Sequence, residues 1–121
     1  MSIKKVMVCD DDRGILDLIE MIMEDAGFSV ISEINSLNAI SRIEKEQPDL
    51  LILDIWMPVL SGDQVLKSIK DSNSIIKLPV LMYSASKEGE SIAEAAGADD
   101  YIAKPFDLDE LVGKVNRLLV L

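Results

Sequence analysis

The chain has 121 residues, a length suited to one domain with a buried core, and it is 49% hydrophobic and 28% charged, an ordinary balance for a globular protein. Twelve basic residues against 22 acidic ones leave a net charge of −10, which repels nucleic acid and anionic membranes, so a DNA-binding role would need another domain. The lack of histidine excludes an imidazole base or phosphohistidine of its own, and a start without a secretory apolar segment and without any run near the ~20 residues of a bilayer span points to the cytoplasm.

The first apolar run, Lys5 to Cys9, ends at Asp10-Asp11. Cys9 is the lone cysteine and is expected to be a reduced, buried thiol. Next, Ile15, Leu18, Ile19, Ile22 and Met23 are spaced as one face of a helix, with Glu20, Glu24 and Asp25 opposite and Gly27 closing it. Phe28 to Ile34 alternates in polarity, the pattern of a strand near a sheet edge. A helix over Leu37–Glu46 follows, with Ala39, Ile40 and Ile43 inward and Pro48 beyond its end.

Leu50 to Leu53 has no polar alternation, so it should be a central strand buried on both faces, and it stops at Asp54. The segment from Ile55 to Gly62 reads as a loop, followed by a helix over Asp63–Lys70 carrying Val65, Leu66 and Ile69. Val80 to Tyr83 is the fourth strand and stops at Ser84. A short Ala-rich helix over Glu88–Ala96 closes at Gly97, and Asp100–Ala103 is a fifth strand that stops at Lys104-Pro105. The last helix spans Asp109–Leu119, with Leu111, Val112, Val115, Leu118 and Leu119 as its apolar set. Aromatic residues are so few that aliphatic residues and six Met are expected to fill most of the core. Five strand–helix alternations imply an α/β fold in three layers, a doubly wound parallel sheet with right-handed crossovers and helices on both faces. No linker or internal repeat divides residues 1–121, which read as one domain.

Parallel strands bring their polar ends to one sheet edge, where open α/β folds place ligands. Asp54, at the end of the central strand, is suited to attack phosphorus and form an acyl phosphate. Asp10 and Asp11 would repel it and each other unless a cation neutralised them, and Mg²⁺ takes such oxygen ligands. Asp12 fits the role of cap for the next helix. Lys104 would pair with Asp54 before reaction and with phosphoryl oxygens after it, and a cis bond to Pro105 would aim it inward. Ser84 would offer a hydroxyl to a phosphoryl oxygen.

These residues resemble the receiver domain of two-component response regulators. The resemblance rests on the acidic pair in Val8-Cys9-Asp10-Asp11, on Leu53-Asp54-Ile55-Trp56-Met57-Pro58 with Gly62, and on Ser84-Ala85. It also rests on Ala96-Gly97-Ala98-Asp99-Asp100-Tyr101 and Lys104-Pro105-Phe106, so it covers essentially the whole chain in order. It implies a flavodoxin-like (βα)5 fold with strand order 2-1-3-4-5, the order of chemotaxis receivers. It further implies that Asp54 is the phosphorylated aspartate and that Asp11, Asp54 and the backbone carbonyl of Trp56 ligate Mg²⁺, with Asp10 acting mainly through water. Ser84 becomes the switch hydroxyl, Tyr101 the switch aromatic and Lys104 the phosphate-pairing lysine.

The implied function is a phosphoacceptor in a two-component or phosphorelay system. A histidine kinase or histidine phosphotransfer protein would be the donor, and catalysis would be limited to self-catalysed phosphotransfer and autodephosphorylation. Ser84 and Tyr101 would then reshape the face made by the fourth helix, fifth strand and fifth helix. That face would bind a downstream protein or output domain, or support a phosphorylation-dependent homodimer. Serine stands where the family more often has threonine, which keeps the hydroxyl and loses a methyl that restricts its rotamer. An indole at position 56, two residues beyond the acceptor, would hinder the water that hydrolyses the acyl phosphate. Two other readings are a receiver-like interaction module that is not phosphorylated and a haloacid-dehalogenase-type phosphatase. The second would use Asp10 and Asp12, but the chain lacks length for a substrate cap.

Overall fold

A computed structural model of the chain describes residues 3–73, 75 and 77–120. In chain order the elements are β1 (Lys5–Cys9), α1 (Arg13–Asp25), β2 (Ser29–Glu33), α2 (Ala39–Glu46), β3 (Leu50–Asp54), α3 (Gly62–Asp71), β4 (Val80–Ser84), α4 (Gly89–Ala96), β5 (Asp100–Ala103) and α5 (Leu108–Val120). The strands form one sheet in the order β2-β1-β3-β4-β5, and every pairing is parallel. This is the flavodoxin-like α/β architecture that the resemblance implies.

The apolar runs become central strands because both their faces are covered. All five residues of β3 and of β4 are buried. Side chains alternate across a strand, so each strand feeds two cores. Met7, Leu51, Leu53 and Met82 pack with Ala39, Ile43, Val65, Leu66, Ile69 and Ala93 from α2, α3 and α4. Val6, Val8, Ile52 and Leu81 pack with Leu16, Ile19, Met23, Leu111 and Val115 from α1 and α5. Each fully buried aliphatic side chain contributes about 2 kcal/mol. β2, with one buried residue among five, lies at the sheet edge as its alternating sequence indicates.

The helices differ in detail from the pattern read in the sequence. On α1 the buried stripe is Leu16, Ile19, Ile22 and Met23, while Leu18 is 43% exposed. At about 100° per residue, Leu18 falls roughly 110° from the centre of the stripe formed by Leu16, Ile19, Ile22 and Met23, outside the sector that faces the sheet. Packing favours Ile19 and leaves Leu18 on the rim. α2 starts at Ala39, two residues later than Leu37, because a 3₁₀ turn over Ser36–Asn38 precedes it. The Asn35 side chain accepts the Leu37 N–H at 3.0 Å, and Leu37 points outward. Gln47 closes α2 in the left-handed region at φ 50 and donates its N–H to the Ile43 carbonyl at 2.8 Å. Gly27 (φ 98) and Gly97 (φ 86) follow α1 and α4 in a conformation that glycine adopts without cost. The core also holds one aromatic that the composition does not advertise, since Tyr83 in β4 is fully buried. Among the described residues no helix is long and apolar enough to cross a membrane.

Candidate functional site

The polar residues that end the strands meet at the carboxyl edge of the sheet. Asp10 directly follows β1, and its N–H donates to the Glu33 carbonyl at 3.1 Å, which ties it to the end of β2. Asp54 is the last residue of β3 and Ser84 the last of β4. Lys104 directly follows β5, and its N–H donates to the Ser84 carbonyl at 2.9 Å. The Lys104–Pro105 bond is cis. Asp10, Asp54 and Ser84 are nearly inaccessible to solvent, whereas Asp11 is exposed.

Carboxylate oxygens of Asp10, Asp11 and Asp54 all lie within 4.8 Å of one another. Lys104 is shared: its Nζ is 3.7 Å from Asp54 Oδ1 and also 3.7 Å from Asp10 Oδ2. One ammonium against three carboxylates leaves an uncompensated negative charge in a mostly buried pocket. Asp54 registers that imbalance. Burial, followed by the Asp10 charge, pushes its carboxyl from 3.8 up to about 7, against the opposing pull of Lys104 and a bond from the Trp56 backbone N–H. A hard divalent cation with oxygen ligands fits this donor set, because it supplies the missing positive charge where the carboxylates converge. Asp12 stands apart, as its expected role requires. It caps α1 by accepting the N–H groups of Gly14 at 2.9 Å and Ile15 at 3.2 Å. That leaves no free Asp10/Asp12 pair of the kind a dehalogenase-type reading needs.

Tyr83 belongs to the site although the sequence reading treats it only as part of a strand. Its hydroxyl donates to Asp10 Oδ2, and the Lys104 Nζ sits 4.6 Å from its ring centroid. The Phe106 ring meets it edge-on, with centroids 6.1 Å apart. Burial, and then the Asp10 charge, push the Tyr83 hydroxyl far above its ordinary range, so it remains a proton donor. The available signal was a tyrosine in an otherwise aliphatic run, because a buried tyrosine hydroxyl needs a partner. The neighbouring thiol is inert: burial first, then the charges of Glu33, Asp10, Asp54 and Asp11, raise Cys9 to about 12.

On the β4–β5 side, Ser84 Oγ accepts the Ser86 N–H at 2.9 Å, and the Tyr101 hydroxyl donates to the Ser84 carbonyl at 3.1 Å. Tyr101 is half-buried, and Gly89 at the start of α4 leaves the space it occupies. Trp56 lies in the loop after Asp54 with a side chain 52% exposed. That loop turns tightly, since the Gly62 N–H donates to the Ile55 carbonyl at 2.7 Å. A Cβ at Gly62 would come within 2.2 Å of the Asp54 carbonyl oxygen.

The family model described as the response regulator receiver domain matches residues 6–116. Among relatives, the alkaline phosphatase synthesis transcriptional regulatory protein PhoP of Bacillus subtilis is 34% identical over 118 residues, covering 96% of this chain and 48% of PhoP. Protein PilG of Pseudomonas aeruginosa is 35% identical over 115 residues, covering 93% of this chain and 84% of PilG. The chain spans about half the length of several curated relatives that it matches. Among solved structures, the receiver domain of Francisella response regulator 1452 superimposes with a TM-score of 0.87 at 34% identity, covering 97% of each chain. Vibrio cholerae chemotaxis protein CheY4 gives a TM-score of 0.87 at 28% identity, covering 98% of this chain and all of that one.

Proposed function

The chain belongs to the response regulator receiver domain family, and from that membership we propose that it is a switch driven by phosphorylation of Asp54. The observation that carries this reading is the Asp54 carboxylate itself. It is almost fully buried, ends a central strand, and has an ammonium at 3.7 Å and two further carboxylates within reach.

In the proposed step a histidine kinase or histidine phosphotransfer protein presents a phosphohistidine. An Asp54 oxygen attacks the phosphorus, the P–N bond breaks, and its electron pair leaves with the imidazole, which takes up a proton. The product is an acyl phosphate. Asp10, Asp11, Asp54 and the Trp56 carbonyl are the groups that would hold Mg²⁺, with Asp10 acting mainly through water. The bound ion would neutralise charge on the phosphoryl oxygens. Lys104, whose Nζ lies 3.7 Å from Asp54 Oδ1, would exchange that contact for one with a phosphoryl oxygen.

Modification replaces one negative charge by roughly two and adds acceptor oxygens. The Ser84 hydroxyl would turn from the Ser86 N–H toward them, and the Tyr101 hydroxyl bond to the Ser84 carbonyl would carry that change to β5. The face built by α4, β5 and α5 would then favour a second packing, read by a downstream protein, an output domain or a second copy of the chain.

The test is incubation with acetyl phosphate and Mg²⁺, followed by intact mass. One phosphoryl group is expected on the native chain and none on Asp54→Ala. Equal labelling of both proteins would reject Asp54 as the acceptor.

A further inference from the structure

We propose that Tyr83 is a positioning residue, whose hydroxyl on Asp10 and whose ring face beneath Lys104 hold both groups in place for a divalent cation and a phosphoryl group at Asp54. The inference rests on the phosphoacceptor reading of the site and adds a residue to it.

The geometry leaves Asp10 no free rotation. Its Oδ1 accepts the Asp12 N–H at 2.9 Å, and its Oδ2 accepts the Tyr83 hydroxyl. The carboxylate plane is therefore set from two sides, by the start of the β1–α1 loop and by β4. Lys104 is set by the same ring. Its Nζ lies 4.6 Å from the Tyr83 centroid while remaining 3.7 Å from both Asp10 and Asp54. A long lysine side chain has many rotamers, and an aromatic face on one side of the ammonium restricts them. Tyr83 is itself fully buried, and the Phe106 ring meets it edge-on. One side chain thus orients both a carboxylate and an ammonium that flank the acceptor. An aliphatic residue would fill much of the same volume and do neither, and phenylalanine would keep only the ring face.

Hydrogen-bond partners that orient groups in a metal site are typically worth 10–100-fold in metal affinity. The experiment uses Mn²⁺ alone as the probe and counts free ion by its EPR signal, at a temperature where circular dichroism shows each protein to be folded. Tyr83→Phe keeps the ring and removes only the hydroxyl, and it should weaken Mn²⁺ binding at least about tenfold. Tyr83→Met removes the ring face as well and should weaken binding no less. In an Asp10→Ala background, adding Tyr83→Phe should cause no further loss, because the hydroxyl then has no carboxylate to hold. Unchanged affinity in both single variants overturns the inference. So does an equal further loss in the Asp10→Ala background, which marks a role in packing only. An unmodified protein that binds Mn²⁺ and accepts a phosphoryl group on Asp54 while Tyr83→Phe matches it refutes Tyr83 alone. A failure of the unmodified protein to bind Mn²⁺ overturns this inference and the metal-dependent reading together.

Discussion

Asp54 carries a cost in the metal-free protein that should be measurable. Its carboxyl is pushed from 3.8 to about 7, first by burial and then by Asp10. Between those values the folded chain keeps a proton that the unfolded chain has lost, so stability falls as pH rises through the window and the loss is complete above about 7. Asp54→Asn removes the titrating group. Without divalent ions the Asn variant should be more stable than the parent at pH 8 by on the order of 3 kcal/mol, and the gap should close toward pH 4. Urea unfolding across that pH range checks the sign. Parallel stability curves for the two proteins would show that the buried carboxylate is not the source. The same buried charge explains why a divalent ion should stabilise the native state, since it binds where the carboxylates converge.

Gly89 links α4 to β5 through a single missing Cβ. A methyl there would stand 2.4 Å from the Tyr101 hydroxyl and 2.8 Å from Ser84 Cβ, closer than real side chains approach. Tyr101 can swing out to clear its own contact, whereas the one with Ser84 Cβ, held at the end of β4, also requires the start of α4 to give. Gly89→Ala should therefore drive the Tyr101 ring outward and break its bond to the Ser84 carbonyl. Tyr101 should then be nitrated faster by tetranitromethane, with fully buried Tyr83 as the internal control. An unchanged Tyr101 reactivity would mean that α4 moves instead. Gly62 has a comparable role at the start of α3 but with less tolerance, because the atom it would strike is backbone of Asp54. These two glycines set how closely helices approach the site, a function that their side-chain-free chemistry does not announce in the sequence.

Taken as one body, the chain has its acidic pocket and its net charge of −10 working in the same direction. Such a surface should not retain duplex DNA even at low ionic strength, where electrostatic binding is strongest. A gel shift with duplex DNA should show no complex, and a clear shift would contradict the charge argument.

Much of this was readable from local pattern. The apolar runs, their polar terminators and the amphipathic spacing all act over a few residues, so they show in the sequence, and the strand-end acids, Ser84 and Lys104 do meet at one edge. The N-cap at Asp12 and the closing glycines were legible for the same reason. The limits were local as well. Ile15, Leu18 and Ile19 all fit an apolar stripe, and only contact with the sheet decides that Leu18 faces out.

By itself, then, the sequence determined which segments are strands and helices and which polar side chains end the strands, because those features follow from nearest-neighbour geometry. The tertiary structure decided how the polar groups divide among one another. Lys104 serves Asp10 as well as Asp54, and Tyr83 reaches Asp10 across 73 residues of chain. Such pairings arise only when β4 and β5 are laid beside β1 and β3. Their energies depend on burial and on distances of a few ångströms, which no spacing along the chain encodes.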